Sequence, residues 1–240
     1  MSEPASEISV IALKGMPEFD HGDDLAGTIA ATARSSDSDG LHDHDVVVVA
    51  SKAVSKIEGR VVEINEDDPL AKLALAEEES IRTLRRRGDL VITETTHGFV
   101  CANAGVDVSN VARDRAVLLP RDPDRSARKL RDRLAAEFTL DRLGVVVTDT
   151  FGRPWRRGVC DLAIGSAGFA PILDLRGTRD SAGRELNVTE VAIADEIAAA
   201  ADLVMGKASG ICAAVVRGLQ LAGDGAAADM VRPAREDLFR

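Results

Sequence analysis

The stretch VVVTDTFGRPWRRG at 145–158 joins a β-branched apolar run to Asp149 and Thr150, then to a glycine-proline turn carrying Arg153, Trp155, Arg156 and Arg157. A buried strand that ends in a carboxylate and a hydroxyl and opens into a cationic loop can hold a metal beside a phosphate. The same residues also suit a strand followed by a solvated turn, and the segment alone leaves both readings open. SKAVSK at 51–56 sets Lys52 and Lys56 directly after a second β-branched run. Only six of the thirty basic residues are lysines and the other twenty-four are arginines, so arginine is the usual choice for solvated faces here. A lysine at a strand end is a compact charge that can reach phosphate oxygens. Lys207, in a glycine-rich turn, is a third candidate; ordinary surface lysines are the alternative for all three. CANAGVDVSN at 101–110 is built on small residues that let backbone amides approach a ligand closely. Asp107 is its sole charge, among the neutral groups of Asn103, Ser109 and Asn110. Asp107 and Asp149 could share one divalent cation, because hard cations take carboxylate and hydroxyl oxygens. An Asx turn around Asp107 is the competing reading.

Other polar groups carry less. His42 and His44, one residue apart in an acidic loop, read as solvated. So do the turn containing Arg121, Asp122, Asp124 and Arg125 and the helical face of Glu77, Glu78 and Glu79. No GxGxxG follows a strand, and Met205-Gly206-Lys207-Ala208 lacks the upstream glycine and the Ser or Thr of a phosphate loop. Conventional kinase and dinucleotide-binding readings are disfavoured.

These residues need elements to position them. After a polar, frayed start at 1–6, the patterns predict a strand at 8–13 that ends in a Lys14-Gly15-Met16-Pro17 turn. A helix at 24–33 capped near Asp23, a polar loop at 35–45 and a buried strand at 46–50 follow. A short strand begins at Val61, and 68–87 reads as one helix with Pro69 in its first turn. A strand at 89–96, a glycine-rich loop at 97–110, a brief strand at 117–119 and an amphipathic helix at 126–140 precede the Val145 strand. Beyond it lie an apolar run at 163–175 broken by Gly165, Gly168 and Pro171, an Ala-rich helix at 189–201 and a late strand at 213–216. Strands and helices alternate too irregularly for a doubly wound sheet. The expectation is an α+β architecture of mixed sheets with helices, compact, with two lobes as an option.

Composition narrows the class. The 240 residues are 45% hydrophobic and 29% charged, as in an ordinary globular chain, and can bury one large core or two small ones. With one Trp, six Phe and no Tyr, that core must be aliphatic. A net charge of −10 argues against nucleic acid as the main partner. Three widely spaced cysteines, without a CxxC or Cys/His metal pattern, read as reduced thiols of a cytoplasmic protein. No signal-peptide pattern opens the chain, and no apolar run approaches ~18 residues, so no membrane partner is expected.

Taken together, SKAVSKIEGRVV (51–62), HGFVCANAGVDVSN (97–110), VVVTDTFGRPWRRGVCDLAIGSAG (145–168) and LVMGKASGICAAVVRG (203–218) resemble the coenzyme F420-0:gamma-glutamyl ligase family. GMPEF (15–19) and REDLFR (235–240) add to the likeness, which spans essentially the whole chain. The resemblance is to the stand-alone archaeal type, with one ligase domain over 1–240 and no nitroreductase-like domain after it. It implies an unusual, ligase-specific α+β fold that pairs into a homodimer. It further implies a ligase of coenzyme F420 biosynthesis that takes GTP as co-substrate and uses two divalent cations, Mg2+ or Mn2+, with K+ as a further candidate. The implied reaction adds L-glutamate to a lactyl-phospho-deazaflavin, first through the α-amine and then through a γ-linkage. By position, Met16, Pro17, Glu18, Phe19, Ser51, Lys52, Lys56, Asn110, Gly206, Ala208, Ser209 and Gly210 would contact GTP. Asp107 and Asp149 would hold the first metal and Thr150 the second, with Asp149, Lys52 and Lys56 as the catalytic set. Lys207 departs from the neutral amide or acid of many relatives, and a protonated lysine is a poor metal ligand.

Activation of a carboxylate by phosphoryl transfer depends on positioning and charge neutralisation, which suits Asp, Thr and Lys on strand ends without a Ser or Cys nucleophile. Arg153, Arg156 and Arg157 are candidates for gripping the anionic substrates. A metal-dependent phosphohydrolase and a non-catalytic GTP-binding regulator are the rival readings.

Overall fold

The computed structural model describes residues 6–238 apart from 66, 69 and 110. All but the last residue of the polar start, Pro69 and Asn110 therefore lie outside the described residues. In chain order the elements are β1 (Ser9–Ala12), α1 (Leu25–Ser35), β2 (Val46–Ala50), α2 (Ser51–Ile57), β3 (Val61–Glu63) and α3 (Ala71–Glu78). Then come β4 (Ser80–Arg87), β5 (Leu90–Thr95), β6 (Val100–Ala102), β7 (Arg115–Val117), α4 (Pro123–Phe138), β8 (Gly144–Gly152) and β9 (Val159–Ala167). The last are β10 (Leu173–Asp174), β11 (Glu190–Val191), α5 (Ile193–Met205) and β12 (Ala213–Arg217).

The main sheet has five strands in the order β1-β12-β2-β8-β9. Its only parallel pair is β2 with β8; the other neighbours are antiparallel. Strand side chains alternate between faces, and here both faces are covered, which is why the strands read as continuous apolar runs. Val47, Val49, Val145, Val147 and Val215 pack with Leu25 and Ile29 of α1 and Leu130 and Leu134 of α4. Val46, Val48, Val146 and Val216 pack on the opposite face with Ile197, Ala201 and Met205 of α5. The expected mixture of sheets and helices is thus present.

Polar groups hold the edges of this layer. Arg217 at the end of β12 grips the buried Asp45 carboxylate, Nε at 2.8 Å and Nη2 at 2.7 Å, and also bonds the carbonyls of Ser38 and Gly40. A smaller core, formed by Leu73, Ala76, Val91, Ala104, Val106, Ala116 and Leu118, lies under α3 and the short sheets β4-β5-β6 and β3-β7.

The long helix expected at 68–87 is corrected. Only Ala71–Glu78 is helical, and Ser80–Arg87 is a strand that pairs with β5 across a turn at Gly88-Asp89. Gly88 takes φ 60°, a turn conformation, and Arg82 pairs with Glu94 at 2.7 Å across the ladder. The charged run IRTLRRR has no apolar stripe to bury as a helix, so cross-strand pairing prevails over helical propensity. Two further points concern the site. SKAVSK, directly after β2, forms the helix α2, and the Ala-rich helix expected at 189–201 is α5, Ile193–Met205.

Candidate active site

β2 and β8 run parallel, and their carboxyl ends open on a cleft of about 740 Å³. Beyond Val147 the β8–β9 ladder slips by one residue in a bulge. Alternation then sends successive side chains of β8 to opposite sides of the strand. Asp149 faces α2 and accepts a hydrogen bond from Ser51 Oγ at 2.9 Å. Thr150 points the other way, donating from Oγ1 to Asp161 Oδ1 at 2.6 Å. Lys207, just past α5, bonds the same oxygen at 2.9 Å, and Thr148 Oγ1 reaches Asp161 Oδ2 at 3.3 Å. One strand end therefore carries two polar corners, both lining the cleft.

Asp107 directly follows Val106 of the smaller core. Its backbone bridges Val117 in both directions, its amide bonding Val117 O at 3.0 Å and its carbonyl accepting from Val117 N at 2.8 Å. Its Oδ1 accepts from the Ser109 amide at 2.7 Å, so the Asx turn is present and leaves the carboxylate facing the cleft. Lys52 Nζ joins the group, 2.7 Å from Asp107 Oδ2 and 2.8 Å from Ser109 Oγ. The loop just before is strained: Asn103, Ala104 and Gly105 all have positive φ. A Cβ on Gly105 would meet Leu119 at 2.7 Å, so only glycine fits. Lys56, from the last turn of α2, pairs with Glu18 at 2.5 Å.

The carboxylates differ in proton affinity. Burial is the main cause that raises the Asp149 carboxyl to about 6; the Asp161 charge adds to it, while Ser51, the Thr150 amide and Lys52 oppose it. Burial also works against the Asp107 anion, but hydrogen bonds from Lys52 and Ser109 bring its pKa below the ordinary value. Burial pushes the thiols of Cys101 and Cys212 up to about 12 and about 11, so neither is a nucleophile near neutral pH.

The whole chain can be set beside known proteins. The family model for F420-0:gamma-glutamyl ligase matches residues 15–218. The chain belongs to the F420-0:gamma-glutamyl ligase family. It is 43% identical to a protein of Methanothermobacter thermautotrophicus, over 97% of this chain and 99% of that one. It is 42% identical to a Methanopyrus kandleri protein, over 91% and 92%, and 40% identical to one of Archaeoglobus fulgidus, over 97% and 96%. All three relatives are named coenzyme F420:L-glutamate ligase.

Within this family member, Met16, Pro17, Glu18, Phe19, Ser51, Lys52, Lys56, Asp107, Asp149, Thr150, Gly206, Lys207, Ala208 and Gly210 all line the one cleft. Ser209 does not line it, its hydroxyl bonding the Met205 carbonyl. Asn110 lies outside the described residues. Arg153, Arg156 and Arg157 are also absent from the cleft lining: they sit on the loop between β8 and β9, where Arg153 Nη2 bonds Arg157 O at 3.0 Å. Three charged lining residues escaped the sequence reading, namely Lys72, Asp161 and Asp202. Asp161 had a signal: it is the one acid inside the apolar run VCDLAIG.

The donors fit one hard cation at Asp149. That carboxylate takes its hydrogen bonds from the Ser51 hydroxyl and the Thr150 amide, neither of them charged, and Asp107 lines the same cleft. Among the described residues no three acidic, His or Cys side chains form a closed metal cage. A cation at Asp149 would thus be completed by phosphate oxygens and water, as Mg2+ commonly is. No helix among the described residues is long and apolar enough to cross a membrane.

Proposed function

We propose that this protein is a GTP-dependent ligase that joins L-glutamate to coenzyme F420-0. The relatives' names support the L-glutamate ligase, and the dependence on GTP is our own reading of the lysines and carboxylates in the cleft. The observation that carries the reading is the meeting of Lys52, Lys56, Asp107, Asp149 and Thr150 in one cleft, in a chain matched to those relatives nearly end to end. The substrate's carboxylate oxygen attacks the γ-phosphorus of GTP, the bond to GDP breaks, and an acyl phosphate forms. The glutamate amine then attacks the carbonyl carbon, phosphate leaves, and the amine proton passes to solvent or a nearby carboxylate.

Neither step needs a protein nucleophile, which agrees with the high thiol pKa values of Cys101 and Cys212. Lys52 and Lys56 would exchange their present partners, Asp107 and Glu18, for phosphate oxygens and neutralise charge as it moves to the leaving group. A divalent cation held by Asp149, and joined by Asp107 once Lys52 has moved from it to phosphate, would supply further neutralisation of the phosphates. The cleft volume of about 740 Å³ is in the range of small-molecule sites and leaves room for a nucleotide. Pairing into a homodimer belongs to the same proposal. The exposure of Ile81, Leu90 and Val100 on the β4-β5-β6 sheet supports it, and light scattering tests it.

The decisive experiment incubates the protein with GTP, Mg2+ or Mn2+, glutamate and F420-0 and weighs the products. A gain of one or more glutamyl residues, with phosphate released in equal amount, is expected. Phosphate release that ignores glutamate would instead support the hydrolase. Tight GTP binding without turnover would support a regulator.

A further inference from the structure

Asp161 is 4% exposed, yet its carboxylate forms part of the cleft wall. A carboxylate so deeply placed needs both a counter-charge and full hydrogen bonding. Thr150 and Thr148 supply neutral donors, and Lys207 supplies the charge. The Lys207 side chain is about half exposed and lines the cleft, and its bond to Asp161 uses one of the three donors of an ammonium. Asp202 lines the same corner. Burial and the charge of Asp161 raise its carboxyl pKa, and the charge of Lys207 lowers it.

A divalent ion bound to Thr150 and Asp161 would need their oxygens at about 2.1 Å. With Nζ already 2.9 Å from Asp161 Oδ1, ion and ammonium would compete for the same oxygen at a separation of only ~4–5 Å, where like charges repel. The Asp149 corner differs, because both donors on that carboxylate are uncharged.

We propose that Lys207 is a built-in cation of the cleft. Its ammonium, seated on Asp161 beside Thr150, meets the phosphate chain of the nucleotide where a second divalent ion would otherwise sit. The chain then works with a single divalent ion, at Asp149. This rests on the GTP-dependent reading above.

The test counts Mn2+ bound per chain in the presence of GDP, by the loss of the free-ion electron paramagnetic resonance signal. The unaltered protein, Lys207→Arg and Lys207→Gln are compared. One ion is expected for the unaltered protein and for Lys207→Arg, which keeps the charge. Two are expected for Lys207→Gln, which frees Asp161 Oδ1 and removes the positive charge beside Thr150 and Asp202. Two ions in the unaltered protein, or one in Lys207→Gln, overturn the proposal and leave the ligase reading standing. No ion in the unaltered protein overturns the Asp149 metal site and this inference with it. The count on the unaltered protein needs no variant, so the proposal stays refutable even where Lys207→Gln fails to fold.

Discussion

Replacing Asp149 by asparagine is expected to stabilise the ligand-free protein while removing its function. Burial is the main reason that the Asp149 carboxyl rises from the ordinary 3.8 to about 6. At about 1.4 kcal/mol per tenfold change in proton affinity, the ionised side chain carries a native-state penalty of roughly 3 kcal/mol. The folded chain binds this proton more tightly than the unfolded chain does. Stability from this group is therefore greatest below about pH 4, falls as the pH rises from about 4 to 6, and stays low above that. Asparagine avoids the charge, and its oxygen can still accept from Ser51 Oγ. Its amide hydrogens need new partners, which costs about 1 kcal/mol.

The net gain near neutral pH is about 1–2 kcal/mol, or roughly 2–8 °C in Tm for a chain of this size. Thermal melts of both proteins in chelator, at about pH 4.5 and about pH 7.5, measure it, and the gap should shrink at the lower pH. Adding Mn2+ and GDP should raise the Tm of the unaltered protein alone, because a ligand stabilises only the state that binds it. A variant that is less stable at neutral pH, or a gap that does not change with pH, would refute the reasoning that this carboxylate is held at a cost to the fold.

Three further outcomes are expected. Lys52→Ala should lower kcat/KM by roughly 10²–10³ in the product assay. Its Tm should barely move, since the ion pair with Asp107 is partly exposed. Asp124→Ala should cost about 2–4 kcal/mol in urea unfolding, because it strands the amides of Ser166, Ala227 and Ala228, which now donate to that carboxylate. Alanine at Arg153, Arg156 or Arg157 should raise KM for glutamate or F420-0; unchanged KM values for both substrates would remove the loop from the substrate site.

Much of the central sheet was legible because its signal is local. The valine runs of β2 and β8 and the late β12 strand appear where the sequence places them. A strand buried on both faces is apolar at every position and marks itself. The helix at 68–87 misled because arginine, leucine and isoleucine are compatible with either state. What decides for a strand from Ser80 onward is the partner β5, and no local window contains that ladder. For the site, residues that stood out by type against their surroundings were legible. Lysines are scarce in an arginine-rich chain, and Asp107 is the only charge in a small-residue loop. Asp161 was less so, because a single acid in an apolar run reads equally well as an exposed position.

The sequence alone determined the family, the strands that form the middle of the sheet and the residue types available for phosphate chemistry, since each is written in contiguous patterns. Tertiary structure decided how those residues are paired. Lys52 meets Asp107 and Lys207 meets Asp161 through contacts between segments far apart in the chain. The alternation of β8 decides that Asp149 and Thr150, neighbours in sequence, serve different corners of the cleft, and the register after the bulge sets Asp161 opposite Thr150. Whether a buried carboxylate faces an ammonium or only neutral donors sets its charge and its appetite for a metal. That is a property of packing in three dimensions, where distance and solvent access govern the field at each oxygen.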